Sequence, residues 1–178
     1  PTPTPTPGGG QLTGTAIGAA GSYGGSQWTF DKVYDGNLAT FFDAAVASGA
    51  WAGLDLGTAK VVGEVRYYPR TGWASRMVGG VFQGANAADF SDAVTLYTIS
   101  SAPPEGVMTA QTVSNSTAFR YVRYLGPTNG WCNVAEVAFY GPGGSPTPTP
   151  TPSATPVPTP PAAPSGLTAT PGNGQVVL

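Results

Sequence analysis

Between Gln11 and Gly141 the hydrophobic positions recur mostly at two-residue intervals, seldom at the three-to-four-residue spacing of a helix face. The cleanest alternation runs through Val61–Pro69. Val61, Gly63, Val65 and Tyr67 share one face; Val62, Glu64, Arg66 and Tyr68 share the other. A strand buried on one side would turn the first set to the core. Val134–Tyr140 alternates again, with Ala135, Val137 and Phe139 inward and Glu136 outward. The remaining candidates are shorter. They are a weak Thr13–Ala20, Trp51–Leu56 ended by Gly57, Met77–Gln83, Val94–Ile99, Thr109–Val113 and Phe119–Leu125. Gly79 and Gly80 inside one of them suggest a bulge or a close backbone approach. Gly and β-branched residues recur too often for a convincing helix, and short connections imply antiparallel neighbours. The pattern predicts an all-β, two-sheet β-sandwich of about eight mostly antiparallel strands.

Composition fixes the edges of that sandwich. All 16 charged residues lie between Asp31 and Glu136, and 14 of the 19 prolines lie in 1–7 and 146–171. Residues 1–10 (PTPTPTPGGG) and 142–162 therefore read as linkers around one domain, 11–141. Alternating Pro-Thr favours extended polyproline II and acts as a semi-rigid spacer. Its threonines are candidate O-glycan acceptors. Residues 163–178 (APSGLTATPGNGQVVL) resemble the opening strand of a fibronectin type III domain, cut short. Spacers around a bead imply a modular protein of the cell exterior, of which this chain is a processed or excised piece. A domain of this size can bury a real core without disulfides. The single Cys132 can form no intrachain bridge, and its apolar setting predicts a buried, inert thiol.

Several function classes lose their chemistry at this point. With no His in the chain, Ser-His-Asp and Cys-His nucleophile systems cannot be assembled. No Cys/His cluster offers a zinc site. Seven basic residues against nine acidic ones leave no nucleic-acid footprint, and no apolar run reaches membrane-span length. The chain reads as non-catalytic.

One stretch concentrates oxygen-bearing side chains: Asp31–Asp43, DKVYDGNLATFFD. Asp35-Gly36 is a tight-turn signal, and Asp35, Asn37, Thr40 and Asp43 surround it. A hard cation such as Ca²⁺ takes about six to eight oxygens from such a sharply turned loop. The loop alone is short of that number, so a second segment must close any cage. Ala135-Glu136 is the candidate. A plain solvated Asp-Gly turn is the alternative.

Four motifs, in order, resemble the F5/8 type C (discoidin) family, which includes the bacterial family 32 carbohydrate-binding modules. DKVYDGNLATFFD resembles the A-x-D-G-[DN]-x-x-T-x-[FW] loop. AWAGLDLG resembles W-x-x-[VL]-D-L-G, VVGEVRYYPR the strand I-x-x-[VI]-x-x-[YL]-x-R, and FRYVRYLG with NVAEVAFYG the closing pair of strands. The resemblance implies a jelly-roll sandwich and a structural Ca²⁺. Carried over residue by residue, the ion would take side-chain oxygens of Asp35, Thr40 and Glu136 and backbone oxygens of Lys32, Asn37, Thr40 and Ala135.

The family's members usually bind sugars in shallow loop sites. Sugar recognition calls for an aromatic face against the ring's C–H side and planar polar groups for its hydroxyls. Two loops offer that mixture: 69–76, with Arg70, Trp73 and Arg76, and 127–133, with Asn129 and Trp131. A third, 21–28, offers Tyr23, Gln27 and Trp28, whereas Trp51 reads as packing. Arg70 and Arg76 have surface pairing with Asp43 or Asp89 as their alternative. Galactose-binding members often use a His that this chain lacks, so the sugar stays open. The expected function is a non-catalytic extracellular carbohydrate-binding module with a polysaccharide or cell-surface glycan as partner. The competing expectation is a structural bead of a surface or filament protein that contacts copies of itself.

Overall fold

The computed structural model describes residues 9–143 together with the isolated Gly166 and Gly174. Of the two linkers only residues 9–10 and 142–143 are described, and of the fibronectin-like segment only those two glycines. By internal contacts the chain divides into Pro1–Thr147 and Pro148–Leu178, and the sandwich belongs to the first unit.

Nine strands form it: β1 Gln11–Leu12, β2 Thr15–Gly18, β3 Trp51–Val61, β4 Glu64–Tyr68, β5 Val81–Ala85, β6 Val94–Thr98, β7 Thr109–Thr112, β8 Ala118–Leu125 and β9 Glu136–Tyr140. A four-stranded sheet runs β1-β9-β4-β7 and a five-stranded sheet runs β2-β3-β8-β5-β6. Every pairing is antiparallel. The two sheets meet at Phe82 of β5. Its ring lies 5.5 Å from Tyr67 of β4 and 5.9 Å from Phe139 of β9, so one side chain stitches both layers. Val65, Val122, Tyr124, Val134 and Val137 complete a core that is almost fully shielded from water.

The alternation predicted for β4 and β9 holds where it matters. Val65 and Tyr67 face the core, as do Ala135, Val137 and Phe139. The start of the first run differs. Val61 closes β3, Gly63 lies between the strands, and Val62, expected outward, is fully buried. Arg66 faces away from the core, yet it too is shielded: it pairs with Glu64 at 2.5 Å and its guanidinium lies over the Tyr140 ring.

Three local expectations need correction. The strand expected at Thr13–Ala20 is the shorter β2, and β1, just ahead of the expected range, belongs to the other sheet. The chain crosses between them at Gly14, where any Cβ would strike the Asp55 carbonyl. Trp51–Leu56 is only the first half of β3, because the left-handed Gly57 (φ +72°) makes an irregularity in the pairing with β8 rather than a stop. The strand expected at Met77–Gln83 begins at Val81. Ahead of it stands one turn of 3-10 helix, Ala74–Met77, and Gly79 at φ +89° turns the chain into the sheet. A second such turn, Phe30–Tyr34, leads into the Asp35 loop. Single turns this short carry too little periodicity to be read against a two-residue pattern.

Candidate functional site

Three loops at one end of the sandwich converge. In loop 21–28, the Ser22 hydroxyl donates to the Gly25 carbonyl at 2.5 Å and Gly24 and Gly25 take positive φ, a curl that leaves Tyr23 60% exposed. Asp43 fixes this loop from beneath. Its carbonyl accepts from the Tyr23 N–H at 2.7 Å, and its own N–H donates to the Trp28 carbonyl at 3.0 Å. In loop 69–76, the Glu105 carboxylate accepts from the N–H groups of Gly72 and Ala74, which brackets Trp73 and leaves its ring 40% exposed. In loop 127–133, Asn129, Trp131 and Cys132 all hold positive φ, a conformation non-glycine residues adopt only under constraint. The constraint is visible. Trp131 donates to the Ala47 carbonyl and accepts from the Ala44 N–H at 2.8 Å, and the Asn129 N–H reaches the Ser48 hydroxyl.

Between the loops lies an open cavity of about 510 Å³. One wall is a continuous stack. Trp28 and Phe41 lie parallel at 4.1 Å, the Arg70 guanidinium sits 3.8 Å from the Phe41 ring and 5.5 Å from Trp73, and Arg76 covers Trp73 at 3.9 Å. The opposite wall is Tyr23, edge-on to Trp131 at 5.4 Å. On the floor Arg70 Nη1 donates to Asp43 Oδ2 at 2.8 Å, and Asp43 is 7% exposed. A shielded ion pair holds both partners to one geometry, because breaking it would leave a charge unpaired. The cavity thus offers aromatic faces, fixed guanidinium donors and a carboxylate acceptor in one concave surface. That combination suits a hydroxyl-rich ring with one apolar face.

The structure brings Arg70, Trp73, Arg76 and Trp131 to this one cavity, with Tyr23, Gln27 and Trp28 of the third loop. Asn129 is not among its lining residues; it sits exposed farther along its loop. Asp89 pairs with Ser91 and not with an arginine. Asp43, read from sequence as a flank of the oxygen-rich loop or a surface partner of Arg70 or Arg76, does pair with Arg70, but shielded at the cavity rather than at the surface, and Phe41 stacks on the same guanidinium. The signal was available in the run Phe41-Phe42-Asp43: an extended segment sends the outer two one way and the middle one the other. Phe42 is indeed wholly buried.

The oxygen-rich loop lies beside this end. Asp35 Oδ1 accepts from the Asn37 N–H at 2.9 Å, and the Thr40 hydroxyl lies 2.8 and 2.9 Å from the two Asp35 oxygens and 2.8 Å from the Asn37 carbonyl. Glu136 at the head of β9 closes on it. Burial pushes its carboxyl up from 4.5 to about 7; the Asp35 carboxyl beside it adds to the rise, and the N–H groups of Gly36 and Asn37 oppose it. Glu136 Oε1 is buried with no hydrogen-bond partner. Two facing carboxylates, a hydroxyl and backbone carbonyls are a hard-cation donor set, and an orphaned buried carboxylate oxygen is what such an ion would satisfy. Among the described residues no cluster of three or more His, Cys, Asp or Glu side chains occurs, so much of any coordination falls to neutral oxygens. Lys32 precedes this loop in the 3-10 turn, its ammonium 3.7 Å from Asp31, and Ala135 precedes Glu136 with its N–H on the Tyr68 carbonyl.

The family model of the F5/8 type C domain matches residues 16–137. The chain belongs to this family. Among solved structures, this F5/8 type C domain is similar to the CBM62 carbohydrate-binding module from Clostridium thermocellum Xyl5A, with 50% identity over 76% of this chain and 99% of that one, at a TM-score of 0.73. It is similar to chitosan-binding module 1 of a chitosanase/glucanase from Paenibacillus sp. IK-5 at 25% identity, covering 73% and 96% of the two chains, with a TM-score of 0.54. The CBM32 of AlyQ, solved with 4,5-unsaturated mannuronic acid, shares the fold at 24% identity and TM-score 0.59, over 73% and 97%. No curated protein matches the chain. The domain is thus a homologue of carbohydrate-binding modules.

Elsewhere in the domain, Cys132 is buried as expected, and burial pushes its thiol up to about 12, far from a reactive thiolate. Trp51 is half-buried on the outer side of β3, its ring 5.2 Å from Phe90, away from the loop cavity. No helix among the described residues is long and apolar enough to cross a membrane.

Proposed function

We propose that this F5/8 type C domain is a non-catalytic, extracellular carbohydrate-binding module that holds a larger modular protein against a polysaccharide or cell-surface glycan. The observation that carries the reading is the cavity bounded by exposed Tyr23 and Trp73, with the Arg70–Asp43 pair fixed at its floor. A pyranose ring lays its C–H face on Trp73 or Trp131 and exchanges hydroxyl hydrogen bonds with Arg70, Arg76 and Asp43. Because the ion pair and the stack already fix the polar groups, little ordering is lost on binding. The cavity is open on one side, which suits a chain end or a branch of a polysaccharide. A tethered module gains the remainder of its hold through effective concentration. Exposed rings beside two guanidinium groups in one concave surface favour this reading over a bead that packs only against its own copies.

The oxygen cluster is assigned a structural Ca²⁺, held by side chains of Asp35, Thr40 and Glu136 and by carbonyls of Lys32, Asn37, Thr40 and Ala135. Asp35 and Glu136 would hold such an ion, whose positive charge would tie the loop before β3 to the last strand. An ion that binds only the folded chain raises its stability by mass action. A glycan array probed with the full chain, with and without a chelator, tests the carbohydrate reading. Binding to a defined glycan class at sub-millimolar affinity supports it, and silence across the array contradicts it.

A further inference from the structure

Three tryptophans line the cavity, and two of them are held by other rings. Trp28 stacks on Phe41 at 4.1 Å, and Trp131 meets Tyr23 edge-on at 5.4 Å. Trp73 has no ring contact among the described residues. Its neighbours are the guanidiniums of Arg70 and Arg76, each at the end of a flexible stem. Its position must therefore come from its own backbone. Two hydrogen bonds of this loop are local. The Trp73 N–H donates to the Arg70 carbonyl and the Arg76 N–H to the Trp73 carbonyl, both at 2.9 Å. They curl the loop without fixing where it sits.

The peptides on either side of Trp73 are tied from outside. The Gly72 N–H donates to Glu105 Oε2 at 3.1 Å and the Ala74 N–H to Glu105 Oε1 at 3.2 Å, so one carboxylate straddles the tryptophan. Gly72, at φ +81°, adds no side-chain restraint of its own. The Glu105 segment is stiff: Pro103 is buried, and Pro104 restricts the backbone just before the glutamate. The carboxylate forms no ion pair with Arg70 or Arg76, which leaves it to the two N–H groups.

We infer that Glu105 is a positioning residue for glycan binding: through Gly72 and Ala74 it holds the Trp73 ring where a sugar's C–H face meets it. The inference rests on the carbohydrate reading above. Glu105 is not among the residues that line the cavity, so it acts through Trp73 and not on the sugar. Hydrogen bonds to a carboxylate are stronger than neutral ones, and two to a single group fix direction as well as place. Without them the indole samples several positions. Ordering one such side chain on binding lowers affinity by a factor of about three to about ten.

The test is NMR on the full chain with isotope-labelled tryptophan. In the ligand-free protein, Glu105→Ala lowers the heteronuclear NOE of the Trp73 indole N–H. Those of Trp28, Trp51 and Trp131 hold, which also shows that the variant is folded. Titration with methyl hexosides and pentosides, followed at the Trp131 indole, reads affinities into the millimolar range. Glu105→Ala is expected to weaken binding about threefold to about tenfold when Trp73 is present, and by less than about twofold in a Trp73→Ala background. Glu105→Gln, which keeps one acceptor oxygen, recovers part of the loss. A merely structural Glu105 would weaken binding equally in both backgrounds, which overturns the positioning role. An unchanged affinity in Glu105→Ala overturns it too, whatever the indole does. Binding of no glycoside by the wild type removes the carbohydrate reading itself, and the role of Glu105 with it.

Discussion

At the residue scale, Trp73 separates binding from folding most cleanly. Its ring is 40% exposed and its neighbours are two guanidiniums, so it holds little of the core together. Trp73→Ala is expected to weaken glycan binding by about 2 kcal/mol, roughly thirtyfold, as truncation of an aromatic anchor does. The unfolding free energy should move by less than about 1 kcal/mol. Calorimetric titration and urea unfolding of the same variant check both numbers. Glu136 makes the opposite kind of prediction. In the calcium-free protein its carboxyl is raised from 4.5 to about 7, so the folded state holds a proton that the unfolded chain has released. Its contribution is fully present below pH 4.5 and is lost as pH rises through about 7. Thermal melts in EDTA should therefore show the wild type losing stability relative to Glu136→Gln over that window. Added calcium should abolish the loss, and a melt profile parallel to that of Glu136→Gln would contradict the assignment. Individual residues were unevenly legible in sequence. Arg70, Trp73, Arg76 and Trp131 stood in Gly/Pro-punctuated loops with polar neighbours. Asp43 entered only as an alternative surface partner of Arg70, 27 positions away, and no local pattern shows that the pair is shielded at a cavity floor.

At the element scale, legibility followed burial on one face. β4 and β9 are core strands with polar residues on alternate positions, and their periodicity identified them. β1 and β2 are short, and the four residues Thr13 to Ala16 at the switch between them carry no apolar side chain larger than Ala, so the change of sheet left no periodic trace. The stretch 74–80 failed for another reason: Met77 and Val78 look like strand residues, and only the left-handed Gly79 shows that the chain turns there. Among the strands β5 contributes most to cohesion through one residue. Phe82 touches Tyr67, Tyr97, Tyr124 and Phe139, drawn from four other strands. Phe82→Ala should cost about 3–5 kcal/mol, the range for emptying an aromatic site in a packed core. Chemical denaturation measures it. A loss below about 1 kcal/mol would mean that the two sheets are not joined at this point.

At the scale of the whole molecule, the fold class could be read from a two-residue pattern and the family from four motifs spread along the domain. What the sequence pattern left out was the convergence. Loops separated by more than a hundred positions, at Tyr23 and Trp131, meet edge to face. An isolated bridge between Phe42 and Val134 likewise pairs segments more than ninety positions apart. Long-range closure of this kind follows from sheet topology, which no short window of sequence contains. It also supplies the most direct measurement. The chain has four tryptophans, three of which line the cavity while Trp51 packs on Phe90 at another face. Each indole N–H gives its own NMR signal. On titration with a glycan that the chain binds, the account predicts progressive shifts at Trp28, Trp73 and Trp131 and none at Trp51; shifts confined to Trp51, or four unmoved signals at saturation, would contradict it.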